Sequence, residues 1–389
     1  MKRTLFTEIH DDFRDGFRAF VKAEILPHHE EWERQGRIDR SMFTAAGEAG
    51  FLAMAVPEEY GGLDQDDFRF NAIIGEELQR VGVIGSGMCI TLHNDVVLPY
   101  LLNHTTEEQR RRWLPGVVSG DTMTAIAMTE PEVGSDLAAL RTTARREGDT
   151  YVIDGAKTFV TNGINADLYV VAVRTDPQER HRGISLIVVE DGIPGFSRGQ
   201  LLDKIGLHSQ DTAELFFDGV RVPADNLIGE EGQGFGILMR NLAQERLGLT
   251  VSAISAARAA LRWTVEYCAQ RKAFGKRILD MQNTRFTLAD LATRVEIGQV
   301  FVDRLIDMHG LGELTGEDAA KGKLYTTELQ QQVVNEGLQL HGGYGFMREY
   351  PIARSYLDAR IQTIFGGTNE IMREIIGRGL EETYGEGVR

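Results

Sequence analysis

Cysteine is nearly absent from this chain: Cys89 and Cys268 are the only two among 389 residues. Two thiols in apolar, helix-like surroundings build neither a disulfide framework nor a cysteine metal site, and both read as inert core residues. No metal site is expected. Long hydrophobic runs are also missing, with nothing near the roughly 18 apolar residues of a membrane span. The opening "MKRTLFTEIHDDFRD" lacks the apolar core of a signal peptide. The expectation is a cytoplasmic protein without membrane insertion. Positive charge is scarce: 42 Lys and Arg stand against 58 Asp and Glu, a net charge of −16. That balance argues against nonspecific contact with nucleic acid, and an anionic small ligand would need a local basic cluster. No G-x-G-x-x-G follows a strand and opens a helix, so a dinucleotide-binding fold is disfavoured.

What is present has three textures. The chain is 42% hydrophobic and 26% charged, as globular proteins are, and long enough for two or three domains. Up to residue 121 the pattern is helical. "DDFRDGFRAFVKAEILPHHEEWE" places Phe13, Phe17, Phe20, Val21 and Ile25 at three- and four-residue steps. Over 122–232 it turns to short β-branched or aromatic runs, "YVIDGAKTFVTNG", "LYVVAV", "ISLIVVE" and "AELFFDGVRVP", joined by turns rather than helices. That predicts an antiparallel β domain. From 233 to 389 the pattern is helical again, with some forty proline-free residues from Phe235, enough to span a whole bundle. The class is α+β, with helical, β and helical domains in that order.

Several short stretches could meet a ligand. "IFGGTNEIMREII" begins with a glycine pair, continues with Thr368 as an N-cap and then becomes amphipathic, the form of a loop opening a helix. Such a start presents free N–H groups, and the glycines admit a ligand closely. "AMTEPEVGSDLAA" holds Thr129, Gly134 and Ser135 in a turn that can offer hydroxyls and N–H groups. In "KTFVTNG", Phe159 and Thr161 lie two apart, on one face of a strand. "CAQRKAFGKRILDMQ" closes the long helix with cations, a Phe and a Gly, and cations there ordinarily complement the helix dipole. "LQLHGGYGFMREYPIARSYLDAR" adds a glycine-rich turn, and its His341 reads as structural. Taken singly, each stretch has an ordinary structural explanation.

Taken together, in this order and spacing, they resemble the acyl-CoA dehydrogenase family over essentially the full chain. "AMTEPEVGSD" is similar to that family's flavin-site loop and "QLHGGYGFMREYPIARSYLD" to its C-terminal signature, while "QRKAFGK" and "IFGGTNEI" fall where the family has them. The resemblance implies a four-helix C-terminal domain, a homotetramer, non-covalent FAD and an acyl-CoA thioester. It implies that Met128, Thr129, Gly134 and Ser135 line the flavin, with Ser135 also near the CoA. Phe159 and Thr161 would meet the flavin ring. Arg271, Phe274, Gln282, Gln339, Gly342 and Gly343 would hold the FAD of a neighbouring subunit, and Thr368, Asn369 and Glu370 would return to the cofactor. Val133 departs from the pattern, standing where the family loop usually has a small residue.

The implied reaction removes a proton from the carbon beside a thioester while a hydride leaves the next carbon. It needs a base, and donors on the carbonyl oxygen. Many family members place a glutamate at the position of Gly366, which here has no side chain. The long helix supplies another. With Leu242 as centre, Phe235, Leu238, Leu249, Ala253 and Ala256 fall within roughly 40°, Glu245 about 60° to one side and Arg246 about 40° to the other. A carboxylate on so apolar a helix is costly unless paired or functional. An ion pair of Glu245 with Arg246 or Arg240 is the ordinary account. "AQERLGL", however, resembles the segment by which long-chain and isovaleryl members carry their catalytic glutamate on this helix. Glu245 is then the base and the Gly366 N–H a carbonyl donor, with Arg246 and Gly367 at the substrate.

By resemblance the substrate is a straight-chain acyl-CoA of medium to long length, and the electron acceptor an electron-transferring flavoprotein. The competing readings are a short branched substrate such as isovaleryl-CoA, an oxygen-using acyl-CoA oxidase, and a flavin-containing nucleic-acid-binding relative. The last would need a basic surface that so acidic a chain does not suggest.

Overall fold

The computed structural model describes residues 1–385. Seven helices come first: α1 (Glu8–Phe20), α2 (His29–Gln35), α3 (Arg40–Glu48), α4 (Phe68–Val81), α5 (Ile84–Thr91), α6 (Leu98–Asn103) and α7 (Glu107–Ser119). The Phe13–Ile25 spacing faces inward as expected: Phe17, Phe20, Val21 and Ile25 are buried, and Phe13 meets Phe51 and Phe70 edge-on at 5.4 and 5.0 Å. Two of the connecting helical segments, Val21–Ile25 and Leu92–Val97, are π-helical turns. Asp67 caps α4 by accepting from the Arg69 N–H at 3.0 Å, and Gly82 ends it with φ +75°.

The middle of the chain is one eight-stranded sheet of β1 (Thr124–Ala127), β2 (Thr143–Glu147), β3 (Thr150–Thr161), β4 (Leu168–Arg174), β5 (Ile184–Glu190), β6 (Phe196–Leu201), β7 (Thr212–Pro223) and β8 (Leu227–Ile228). The order is β6-β7-β3-β2-β4-β5-β8, with β1 on the free part of β4. Most pairings are antiparallel, in keeping with turn-linked strands. The exceptions both involve β4: β1 runs parallel to it from Thr124↔Leu168 to Ala127↔Val171, and β2 meets it in parallel at Thr143↔Arg174. The unbroken apolar runs of β4 and β5 are buried on both faces, against the neighbouring helices and against the inner side of the sheet.

The last part is built on α8 (Gly234–Gln270), 37 residues long, packed against α9 (Gln282–Gly310) and α10 (Gly316–His341). The shorter α11 (Pro351–Ala359) and α12 (Asn369–Tyr384) complete it. Leu247, Val251, Ile254 and Ala257 of α8 meet Leu291, Val295 and Val302 of α9 and Val333 and Val334 of α10 in one core. The "RKAFGK" stretch does not extend α8. It forms a two-residue hairpin, Lys272–Ala273 against Lys276–Arg277, because Phe274 and Gly275 both adopt left-handed backbone with φ +53° and +78°. Among the described residues no helix is long and apolar enough to cross a membrane.

Candidate active site

Glu245 lies on α8 and is only 6% exposed. Its Oε1 accepts a hydrogen bond from the Tyr100 hydroxyl at 2.7 Å, and Tyr100, on α6, is itself fully buried. Burial pushes the Glu245 carboxyl up to about 7, against the opposing pull of the Tyr100 hydrogen bond and the Arg246 charge. Burial thus makes this carboxyl more basic than an exposed glutamate. The ion pair offered as the ordinary account does not form. Arg246 turns its Nε to the carbonyl of Gly366 at 3.3 Å, and no salt bridge joins the two side chains. Burial lowers the Arg246 guanidinium, with Glu245 opposing.

The glycine pair sits opposite this helix. Gly366 and Gly367 have φ +64° and +93°, the left-handed region that glycine enters without penalty. A Cβ on Gly366 would stand 2.4 Å from Leu249 Cδ1. Leu249 is one helical turn beyond Glu245, so the turn and the carboxylate face the same stretch of α8. Thr368 starts α12 as expected, its Oγ1 accepting from the Ile371 N–H at 3.3 Å. Asn369 is buried and bonded to Thr327 and Lys323, whereas the Glu370 side chain is exposed. Thr368, Asn369 and Glu370 border a surface cleft of about 230 Å³ that Arg360 and Arg373 also line.

On the sheet, the two flavin-like segments are tied together. The Thr158 N–H donates to Thr129 O at 2.9 Å, and the buried Lys157 ammonium reaches both Met128 O at 3.1 Å and Glu130 Oε1 at 2.8 Å. Phe159 departs from regular strand geometry. It lies in a β-bulge with φ +56° and stands 69% exposed, with Thr161 half-buried beyond it. Gly134 and Ser135 form an exposed turn, and nothing lies within 4 Å of where a Gly134 Cβ would be. Val133 is absorbed into the core and pairs with Glu130 through two backbone hydrogen bonds.

The remaining residues gather elsewhere. Arg271, Phe274, Gln282, Gln339, Gly342 and Gly343 are all exposed at one end of the bundle, where Arg271 lies 5.8 Å over the Tyr344 ring. Lys323, which touches the Gly367–Asn369 turn, and His341, beside that cluster, are both on α10. At 1.5 Å per residue they are about 27 Å apart along the helix. Within one chain the Thr368–Glu370 turn and the Arg271–Gly343 cluster therefore lie far apart.

Comparison with known proteins decides the lineage. Three family models match in succession: the acyl-CoA dehydrogenase N-terminal domain over residues 7–121, middle domain over 125–220 and C-terminal domain over 232–381. The chain belongs to the acyl-CoA dehydrogenase family. It is thereby an oxidoreductase. The long-chain specific acyl-CoA dehydrogenase of Sus scrofa mitochondria is 44% identical over 97% of this chain and 88% of its own length. An acyl-CoA dehydrogenase of Bacillus subtilis is 38% identical over 93% of this chain and 95% of its own. The crystal structure of an acyl-CoA dehydrogenase from Geobacillus kaustophilus, 50% identical, superposes with a TM-score of 0.95 over 97% of this chain and all of that one.

Within this acyl-CoA dehydrogenase, three contacts escaped the sequence reading. Tyr100 is hidden in the apolar run "VVLPYLL", where a tyrosine ordinarily counts as core; only its need for a hydroxyl partner could have flagged it. Lys157 and Lys323 are lysines at zero exposure. A lysine read alone is assigned to the surface, and only the tertiary fold shows which carbonyls these two hold.

Proposed function

We propose that this protein catalyses FAD-dependent α,β-dehydrogenation of a medium- to long-chain straight acyl-CoA to the trans-2-enoyl-CoA, with Glu245 as the base. The observation that carries the reading is a buried carboxyl, tuned to about 7, facing the same segment of α8 as the Gly366–Gly367 turn. Glu245 takes the α-proton. The Gly366 N–H polarises the thioester carbonyl and Tyr100 holds the carboxylate in place. Arg246 orients the turn through Gly366 O, and Ser135, Arg246 and Gly367 border the substrate. FAD, when bound, supplies the acceptor for the hydride that leaves the β-carbon.

The residues present suit that cofactor. Gly134, Gly342 and Gly343 open onto space, Phe159 offers an exposed ring, and the cleft beside Thr368, Asn369 and Glu370 carries two arginines. A solved glutaryl-CoA dehydrogenase from Mycobacterium smegmatis, 27% identical with a TM-score of 0.89, contains FADH2. Met128, Thr129, Gly134, Ser135, Phe159, Thr161, Thr368, Asn369 and Glu370 would hold the flavin from one chain. Arg271, Phe274, Gln282, Gln339, Gly342 and Gly343 would hold it from a neighbour, which calls for a homo-oligomer, a homotetramer by resemblance. Domain limits at 121/122 and 232/233, a cytoplasmic setting and an electron-transferring flavoprotein as acceptor complete the proposal.

The test is anaerobic flavin bleaching by acyl-CoAs graded in length and branching. Fastest bleaching by straight chains of eight or more carbons supports the reading, on the order of the lengths that distinguish medium from short substrates. Preference for isovaleryl-CoA transfers the assignment to the branched class, and no bleaching by any of them defeats it.

A further inference from the structure

Lys323 is a cation without a carboxylate. Its side chain is fully buried on α10, and among the described residues no acidic group lies within salt-bridge distance of its ammonium. Instead Nζ donates to Gly367 O at 2.8 Å and to Asn369 Oδ1 at 2.9 Å, and Asn369 is held in turn by Thr327. Its place depends on the preceding residue. A Cβ on Gly322 would lie 2.5 Å from Leu305 Cδ1 and 3.2 Å from Thr250 Cγ2, so the glycine lets α10 approach α8 and α9 without displacing those side chains.

The charged groups that face Lys323 are few. Arg246 approaches from α8, Glu370 from α12 and Glu328 from α10 itself. Glu370 is fully open to solvent in its side chain, and Glu328 is taken up by Arg373. On the inner side there are therefore two buried cations, both lowered by burial and Lys323 to about 8, and the positive end of the α12 dipole, against the one carboxyl of Glu245, which burial raises. An excess of buried positive charge is unfavourable unless an anion joins it. The two cations also divide the turn between them, Arg246 taking the carbonyl of Gly366 and Lys323 that of Gly367. In a trans peptide the N–H points away from the C=O, so pinning both carbonyls fixes the direction of the Gly367 and Thr368 N–H groups and holds the left-handed turn containing the Gly366 N–H.

We propose that Lys323 is a positioning residue for the carbonyl site: it locks the Gly366–Gly367 turn, and its buried charge favours the anionic, enolate-like form of the bound acyl group. This rests on the dehydrogenase reading above. The anion is the α-carbanion of the thioester, formed when the α-proton passes to Glu245, with the negative charge delocalised onto the carbonyl oxygen. No other reactant is needed.

The experiment uses the full-length, FAD-loaded protein and an acyl-CoA analogue with sulfur in place of the β-carbon. Such an analogue can lose its α-proton but cannot give up a hydride, and its anion beside oxidised flavin produces a long-wavelength charge-transfer band. The band is titrated against pH in the wild type, in Lys323→Met, in Lys323→Gln, which keeps one donor for Gly367 O without charge, and in Lys323→Arg. The expected result is a midpoint at least about one pH unit higher in the two neutral variants, a tenfold smaller anion fraction at fixed pH. Flavin content and analogue affinity should stay within a few-fold of wild type, and Lys323→Arg should recover most of the shift. A midpoint unmoved in Lys323→Met and Lys323→Gln overturns the role. So does loss of flavin in both while Lys323→Arg folds and titrates like the wild type, since the residue would then only support the fold. A wild-type protein that shows no band defeats the dehydrogenase reading itself, a separate failure.

Discussion

Replacing Glu245 by Gln should make this protein more stable and inactive. In the unfolded chain the carboxyl titrates near its ordinary value of 4.5; in the folded chain it titrates at about 7 because burial penalises its charge. Between those pH values the native state keeps a proton that the unfolded state has released. Stability therefore falls as pH rises through the window, opposite to the behaviour of a carboxylate paired with a cation. At about 1.4 kcal/mol per pH unit, the ionised side chain costs about 3 kcal/mol at pH 8 and under about 1 kcal/mol at pH 5. Gln preserves the volume and an acceptor for the Tyr100 hydroxyl, 2.7 Å away, but carries no charge. Denaturant unfolding of the FAD-loaded proteins should place the variant above the wild type by about 3 kcal/mol at pH 8, with the gap nearly closed at pH 5. Turnover and α-proton exchange should drop by roughly 10²–10⁴-fold, the share a positioned base contributes. Equal or lower stability at pH 8 would show that Glu245 is compensated by a partner and not poised. Undiminished proton exchange would show that another group is the base.

Tyr100→Phe removes the hydroxyl that favours the ionised Glu245. At about 1.5–3 kcal/mol for a hydrogen bond to a charge, the pH midpoint of kcat/KM should rise by about one to two units while flavin content is retained, as read from a pH–rate profile. Lys157→Met leaves Glu130 buried without its cation, so it should cost about 3–5 kcal/mol in denaturant unfolding and lower the flavin-to-protein absorbance ratio. Moving the base by Gly366→Glu with Glu245→Gly should give little exchange on its own, because the new side chain sits on left-handed backbone at φ +64° and must turn the tip of Leu249 aside. Adding Leu249→Ala should restore measurable α-proton exchange, and a triple variant that binds FAD yet exchanges no faster than Glu245→Gly would show that the two positions do not share a pocket.

The legible parts of the molecule were those written in local pattern. Phe17, Phe20 and Ile25 keep helical spacing and lie in the core, and "LYVVAV" and "ISLIVV" are continuous apolar runs that become doubly buried strands. Glu245 stood out through the resemblance of "AQERLGL" to a family segment with a helix-borne glutamate, since the residue pattern alone left an ion pair as the ordinary account. What local pattern missed had other causes. Phe159 alternates with Val160 as a strand residue should, yet its backbone is left-handed because a bulge absorbs one residue opposite β7. The "RKAFGK" cations suit a helix end by composition, yet the Phe274–Gly275 turn folds them into a hairpin. Tyr100 and Lys323 act through partners more than 40 residues away, and no periodicity records such pairings.

The arrangement around the glycine pair has a further logic. In the proposed mechanism glycine at 366 does more than leave room for an acid supplied by α8. Its left-handed φ aims the Gly366 carbonyl at Arg246, and the φ +93° of Gly367 lets the next carbonyl reach Lys323. Any L-residue with a side chain would be strained at both positions. Arg246, the neighbour of Glu245 in sequence, is occupied with the Gly366 carbonyl and forms no ion pair with the carboxylate. Had Arg246 closed on Glu245, the carboxyl would titrate well below neutrality and make a poor base for a weak carbon acid. Burial raises the carboxyl, and the engagement of the arginine by the turn leaves it without an ion pair. In the proposed mechanism the same two glycines therefore set the geometry at the carbonyl and hold the arginine away from the base.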